Sequence, residues 1–444
     1  MKAAFHTLGC KVNQYETEAL AAMFAERGFE IVGERDWADV YIVNTCTVTA
    51  EADRKSRQYV RRMKRVNPDS LVAVTGCYSQ ISPHEVAAVE GVDIVTGTNE
   101  KHNLPAYVKE ALAKKDGERI LRVLDYKNLK EFHEMKADSR PATDRTRAYI
   151  KVQEGCDRFC TYCVVPYARG PVRSRAPEDI MQEAKSLLNA GYKEIVLTGI
   201  NTALYGIGET GGFNEAGIEP VIAKINKLEG DFRIRLSSLE PTVINHEYVK
   251  KLFKYNKLCH HLHISAQSGS DSVLEAMNRR YTREEYEAIL AVLKGFDSCY
   301  GVSTDIIAGF PGEEEADFEE SLKLVNENGF CKTHIFRYSE RPGTTAAGMK
   351  NQISHQVRER RARELEKAAR KAALDFFEKN LIQGRSGRTE RVLLEERLEN
   401  MAVGYTGNYI RTYIPIEETG EEMNKFITVR LTDIFRDGMT GTVV

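Results

Sequence analysis

Apolar and polar positions follow a repeating rhythm over the first 125 residues. Each short apolar run is succeeded by a stretch with helical period. AAFHTLGC precedes ETEALAAMFAERGF, DVYIVNTC precedes EADRKSRQYVRRMKRV, and SLVAVTGC precedes PHEVAAVEG, with VDIVTGT and LPAYVKEALAKK following. Strand-helix alternation of this kind predicts a doubly wound parallel sheet. Residues 126–146 are polar and aperiodic and read as a linker. From 147 to 375 the rhythm resumes with six strand-like runs: RAYIKV, EIVLTG, RIRLSS, HLHISA, GVSTDIIAG and THIFRYS. Six strand-helix units predict a partial TIM-like (βα)6 barrel, with its chemistry at the carboxyl ends of the strands. From about 380 to 444 the pattern changes to short alternating runs punctuated by glycine, which predicts a small antiparallel β-barrel. The fold expected is therefore α/β in three parts.

A chain of 444 residues suits about three domains of ordinary size. No apolar run reaches the ~18 residues of a membrane span, and MKAAFHTLGC has no signal-peptide core. A cytoplasmic protein without a membrane partner is expected. The net charge of −2 conceals a basic run, RKSRQYVRRMKR at 54–65, with no acid inside it. Arg54, Arg57, Arg61 and Arg62 are candidates for phosphate contacts, because a basic stripe on one helix is an RNA-binding footprint. Residues 385–444 hold many glutamates and do not extend that footprint.

The cysteines change the picture. Nine in 444 residues are too few for a disulfide scaffold. Yet Cys156, Cys160 and Cys163 lie within eight residues, in GCDRFCTYC, just past the first strand of the second block. Three others, Cys10, Cys46 and Cys77, each end a predicted strand of the first block. Carboxyl ends of parallel strands share one edge, so these three are expected to converge on one ligand. A structural zinc site needs four ligands, and His260, His261 or His263 would have to supply the fourth. Three thiolates on a cubane cluster instead leave one iron open for substrate. Cys259, Cys299 and Cys331 fall outside both sets and read as packing residues.

C-x3-C-x2-C with Tyr162 before the last cysteine, on the first loop of a six-unit barrel, resembles the radical S-adenosylmethionine superfamily. LGCKVNQYETEAL, VNTCTVTAEAD, TGCYSQ, GCDRFCTYCVVPYARGPVRSR, HISAQSGSDSVLEAMNRRYT, DIIAGFPGE and RYSERPGT extend the likeness over the whole chain to the methylthiotransferases. The start LGCKVNQYET is most similar to the subfamily acting on N6-threonylcarbamoyladenosine at position 37 of tRNA. The resemblance implies an auxiliary-cluster domain (1–125), a linker (126–146), a radical domain (147–375) and a TRAM-like RNA-binding barrel (380–444). It implies two 4Fe-4S clusters, one on Cys156, Cys160 and Cys163 and one on Cys10, Cys46 and Cys77. It further implies two S-adenosylmethionine molecules, one spent on methylating sulfur and one cleaved to a 5′-deoxyadenosyl radical.

Tyr162, Gly199, Asn201, Ser238, Glu240, Gln267, Ser268 and Arg279 are the cofactor-binding candidates on this resemblance. Tyr162 would meet the adenine of the cofactor and Arg279 its carboxylate. TGIN at 198–201 lacks the glutamate that many radical enzymes offer to the methionyl amine. The implied partners are a tRNA anticodon loop and an electron donor such as flavodoxin or ferredoxin, with the protein a monomer. The rival readings are methylthiolation of isopentenyladenosine or of a ribosomal-protein aspartate, and a zinc-stabilised RNA-binding adaptor without catalysis.

Overall fold

The computed structural model describes residues 1–113, 118–135, 146–207 and 217–444. Six strands, β1 (Lys2–Thr7), β2 (Glu30–Val32), β3 (Val40–Thr45), β4 (Leu71–Gly76), β5 (Ile94–Thr96) and β6 (Ile120–Arg122), form one all-parallel sheet in the order β2-β1-β3-β4-β5-β6. VYIVNT of β3 is buried along its whole length, which is why it reads as a continuous apolar run and not as an alternation. Ala19, Leu20 and Phe24 of helix Lys11–Ala25 cover one face. Tyr59, Val60 and Met63 of helix Ala50–Val66 cover the other. The strand order reverses between β1 and β3, and a doubly wound sheet opens its ligand crevice at such a reversal.

The six predicted central strands are all present. β7 (Arg147–Lys151) is followed by the short pair β8 (Gln153–Glu154) and β9 (Arg173–Ser174), then by β10 (Glu194–Thr198), β11 (Arg233–Leu236), β12 (Ser238–Leu239), β13 (His261–Ile264), β14 (Gly301–Ala308) and β15 (Lys332–Arg337). β7, β10 and β11 pair in parallel, as do β12 to β15, and Ile234↔Leu258 bridges the two sets. The result is an open arc of seven strands, β11 and β12 being two parts of one expected run, with Ile195, Leu197, Ile234, Leu262 and Ile306 packed in its core against helices.

The third part is a closed barrel of β16 (Glu390–Leu398), β17 (Met401–Tyr405), β18 (Arg411–Pro415), β19 (Phe426–Phe435) and β20 (Gly438–Val443), in the order β16-β17-β18-β20-β19. It is not purely antiparallel: β18 and β20 run parallel. The helix His355–Arg385 passes through the expected boundary at 375–380. Its Leu365, Ala368 and Ala372 belong to the central core and its Phe376 and Phe377 to the barrel core, so one helix serves both.

The expected linker is not a loose tether in its described part. Tyr126–Asn128 form a 3-10 turn, Leu129 and Met135 are buried, and Glu134 pairs with Arg175 at 2.7 Å. Aperiodic sequence hides this because the segment packs by single side chains, not by a face. Residues 136–145 of that linker lie outside the described residues.

The β17–β18 loop plugs the amino end of the arc. Arg235 donates to the carbonyls of Thr406 and Gly407 at 3.2 Å, Arg233 to that of Tyr405 at 3.0 Å, and Asn408 to that of Cys299 at 3.0 Å. Glu194, fully buried, anchors both arginines at 2.5 and 2.8 Å. Burial opposes its charge, but Arg233, Arg235 and Arg147 hold its carboxyl well below the usual range. A depressed carboxyl contributes stability that is complete above the unfolded pKa of ~4.3 and is lost as pH falls toward the folded value. Glu194→Gln is therefore expected to cost about 3–5 kcal/mol at neutral pH. Its deficit against wild type should shrink in denaturation curves taken below about pH 4.

Candidate active site

The first cysteine set lies just past the ends of the neighbouring strands β1, β3 and β4. Two glycines permit it. Gly9 has φ +105°, and a Cβ there would lie 2.7 Å from Cys46 Cβ; Gly76 has φ +104°, and a Cβ there would lie 2.4 Å from the Thr45 carbonyl. The ends of β1, β3 and β4 are thereby crowded together. Cys10 occupies the N-cap of helix Lys11–Ala25 without a side-chain hydrogen bond, and Cys77 opens the next short helix. Burial, aided by the neighbouring Cys77, pushes the Cys46 thiol up to about 12. Burial also raises Cys77, against the pull of Arg169 and Lys101. Such thiols stay protonated until a metal displaces the proton.

Beneath Cys77 lies a fully buried charge network. Arg169 Nε donates to Cys77 Sγ at 3.3 Å, and its Nη1 donates to Glu16 and to Glu154 at 2.6 Å each. Lys151 reaches the same two carboxylates at 3.1 Å, Lys101 pairs with Glu16 and donates to Asn44 Oδ1 at 2.9 Å, and Arg173 stands 3.6 Å from Glu154. Burial works against the charge of Glu154, but Lys151, Arg169 and Arg173 hold it at about 2. Four cations thus face two carboxylates, and the excess is positive on the side where the thiols sit. That donor set suits a thiolate-bound anionic group at Cys10, Cys46 and Cys77.

The second set lies on the loop between β8 and β9. It is fastened to the other side of the arc: Thr161 bonds the carbonyls of Met277 (3.1 Å) and Ala276 (2.8 Å), and Ala346 N–H donates to the Thr161 carbonyl at 2.8 Å. Val165 N–H points at Cys163 Sγ at 3.4 Å. Burial raises Cys156 to about 11 and raises Cys163 further, with Cys160 adding to both. Arg279 reaches Cys160 Sγ at 3.6 Å and the Ser265 carbonyl at 3.1 Å, and stands 3.9 Å from Glu240, which also pairs with Arg158 at 3.0 Å.

Beside the second set is a cavity of about 200 Å³. Its walls are Tyr162, Cys163, Val164 and Val165 of the second loop, Val48 and Thr49 just after Cys46, and Gln267, Asp305, Ile307 and Phe336–Ser339 from the strand ends. Gln267 holds φ +66° while its N–H and C=O bond Asp305 and Ile307, a left-handed backbone of the kind that accumulates at ligand clamps.

The other candidates do not line the cavity. Gly199 and Asn201 are held by Gln153, whose Oε1 accepts from Asn201 N–H at 2.9 Å. The Ser238 carbonyl accepts from Thr202, and the Ser268 hydroxyl bonds Ser321 and the Ser270 N–H. Ser268 serves the turn it sits in. Asp305, Phe336 and Arg337 were missed; the signal available was their place at the carboxyl ends of β14 and β15.

Arg54 pairs with Glu51, and Arg57 with Glu85 and Tyr78, because acids outside the basic run fold back on it; Arg61 and Arg62 stay exposed. His260 faces Asp297 and His261 stacks on Tyr409. Among the described residues, the metal-ligand-like grouping that contains a histidine is His263, Asp305 and His334, with no cysteine in it.

Residues 2–97 match the model described as "Uncharacterized protein family UPF0004", and residues 150–325 match that of the radical SAM superfamily. The threonylcarbamoyladenosine tRNA methylthiotransferase MtaB of Bacillus subtilis (strain 168) is 41% identical over 96% of this chain and 93% of its own. The chain belongs to the radical SAM tRNA methylthiotransferase family. The Aquifex aeolicus (strain VF5) protein of the same description is 38% identical over 97% of this chain and 100% of its own. A tRNA-2-methylthio-N(6)-dimethylallyladenosine synthase of Clostridium botulinum is 34% identical over 90% of each. Among solved structures, the radical S-adenosylmethionine methyltransferase TsrM of Kitasatospora setae, with cobalamin and a 4Fe-4S cluster, superposes with a TM-score of 0.56 at 16% identity, over 78% of this chain and 76% of that one. That likeness concerns the fold.

Removing Arg169 from its network leaves Glu16 and Glu154 short of a partner. Arg169→Met is expected to cost about 3–5 kcal/mol. The double variant Arg169→Met/Glu16→Gln should recover part of that loss, with a coupling of about 1–3 kcal/mol in a double-mutant cycle of denaturant unfolding.

Proposed function

We propose that this enzyme methylthiolates carbon 2 of N6-threonylcarbamoyladenosine at position 37 of tRNA, using two 4Fe-4S clusters and two S-adenosylmethionine molecules. The observation that carries the reading is the single cavity walled by Cys163 of one cysteine set and by the loop that follows Cys46 of the other. The carbon–hydrogen bond to be replaced is unactivated, so cofactors must supply the hard chemistry while the protein positions them.

Cys156, Cys160 and Cys163 hold the cluster that binds S-adenosylmethionine, and Cys10, Cys46 and Cys77 hold the auxiliary one. When bound, the first supplies a reducing electron and an open iron, and the second supplies sulfur. Tyr162 and Gln267 wall the space for the nucleoside of the cofactor. Arg279, fixed by the Ser265 carbonyl and beside Glu240, sets the charge next to Cys160 and faces the methionyl carboxylate. Gly199, Asn201 and Ser238 lie outside that cavity and support the neighbouring strand-end loops, with Glu240 as counter-ion of Arg279.

An anticodon base must be splayed out to be modified, and RNA recognition of that kind uses stacking and phosphate contacts. Phe336 is 43% exposed at the cavity and offers a ring for the base, with Arg337 beside it. Arg61, Arg62 and the C-terminal barrel, in the role of a TRAM domain, take the flanking phosphates. No described helix is long and apolar enough to cross a membrane. A cytoplasmic monomer reduced by flavodoxin or ferredoxin completes the reading.

Relatives of both adenosine specificities are similar to this chain, so the substrate is the point to test. Reconstituted enzyme with S-adenosylmethionine and a reductant should convert threonylcarbamoyl tRNA to its 2-methylthio form in nucleoside mass spectrometry. Cys156→Ala should abolish the product. Product from dimethylallyl tRNA alone would replace the substrate assignment.

A further inference from the structure

The cavity described above borders the carboxyl end of β15. A second and larger one borders its amino end. β7 and β15 end the strand order, so the arc is open between them. At the amino end of that opening stand Tyr405, the last residue of β17, and Tyr409 in the loop that follows. The Arg147 guanidinium of β7 lies over their rings at 4.5 and 5.9 Å, and the same two tyrosines line a cavity of about 600 Å³. Its other walls are the start of β15, the middle of the helix His355–Arg385, and Arg436 and Asp437 in the β19–β20 turn. That volume falls within the roughly 300–1,000 Å³ of ligand sites.

Two kinds of surface meet there. Ala369, Ala373 and Phe377 recur one turn apart on the helix and make an apolar wall, with Leu374 at its rim 45% exposed. Lys332, Arg370, Arg411 and Arg436 face only two acids, Glu366 and Asp437. Arg411 is spent on Asp437 and Glu396, and Arg436 stands 3.7 Å from Glu399. Lys332 and Arg370 are exposed, and among the described residues neither is in an ion pair. Arg370 meets Glu366 only at the backbone carbonyl, at 3.3 Å. Thr333 Oγ1, on the same wall, is buried without a hydrogen-bond partner among the described residues.

An apolar wall facing unpaired cations and an unused hydroxyl offers one surface to a base and another to a phosphate, the two contacts by which single-stranded RNA is held. β15 also runs straight from this cavity to the first: Thr333 and Ile335 line one, Phe336 and Arg337 the other. At about 3.3 Å per residue the two lie on the order of 10 Å apart along the strand, a gap that neighbouring nucleotides of a splayed loop cross.

We propose that this cavity takes a second nucleotide of the anticodon loop, one flanking position 37, with its base on the wall of Ala369, Ala373 and Phe377 and its phosphate between Lys332 and Arg370. The proposal rests on the tRNA substrate read above. It adds a grip on the loop that is independent of the modification at position 37 and that fixes which nucleotide reaches the first cavity.

The test uses cluster-loaded full-length enzyme and labelled anticodon stem-loops carrying threonylcarbamoyladenosine or plain adenosine at position 37, read by fluorescence anisotropy over a series of salt concentrations. Lys332→Gln/Arg370→Gln should weaken both loops alike, about tenfold at physiological salt, and flatten the slope of log Kd against log salt by about one or more. Lys367→Gln, exposed on the same helix but off the cavity, should stay close to wild type. All these side chains are exposed, so iron content and melting temperature should not change. Hydroxyl-radical footprinting of the RNA then locates the contact: protection of a nucleotide beside position 37 should be lost in the double variant while position 37 stays covered. Wild-type affinity and salt slope in the double variant overturn the proposal. So does protection lost evenly along the stem, which would make the two cations part of a diffuse field. A wild type that binds neither loop sinks the tRNA reading itself, a result obtained before any variant is compared.

Discussion

The seating of the first sheet on the central arc depends on the buried charges around Arg169. Glu16 comes from the first helix, Lys101 from the loop after β5, Lys151 and Glu154 from β7 and β8, and Arg169 and Arg173 from the chain just past the second cysteine loop. Desolvating six charges costs far more than any one pair returns, so they persist together only if geometry is near ideal and every acid has several partners. Here each acid has at least three. The surplus of two positive charges lies under Cys77, with Arg169 donating to its sulfur. The guanidinium that joins the two domains therefore also touches a cysteine of the first set.

The other end of the arc obeys the same logic with a different partner. Glu194 holds Arg233 and Arg235, and these hold the β17–β18 loop through its carbonyls. The C-terminal barrel is therefore seated on the radical domain by its own backbone and by the long helix whose residues enter both cores. Anchored this way, the barrel keeps a fixed place on the arc. The floor is sealed, and the lumen above it is left polar, with His261, His263, Ser303, Asp305 and His334 on successive strands.

Much of this was legible in the chain. The six central strands and the strand ends at Cys10, Cys46 and Cys77 follow from short apolar runs with abrupt ends, signals that need no tertiary information. The network around Arg169 was not. Arg169 sits in VPYARGPVRSR and Lys101 in GTNEKHN, stretches that look solvent-facing, yet both are buried. Their partners lie 85 and 153 residues away, and pairing at such separation leaves no local pattern. For the same reason the partner of Arg57 and the burial of Leu129 in the expected linker left no local pattern. The hydroxyl of Ser268 bonds Ser321 and the Ser270 N–H, partners that no local pattern announces.

The most direct test is elemental. Iron and acid-labile sulfide should be measured after anaerobic reconstitution, in wild type and in the Cys10→Ala/Cys46→Ala/Cys77→Ala variant, with zinc measured alongside. Two Cys-ligated cubanes predict about eight irons per chain, falling to about four in the variant. Four irons in both proteins would leave a radical enzyme without a sulfur-donating cluster and contradict the account of the first cysteine set. Zinc without iron would contradict the radical chemistry altogether.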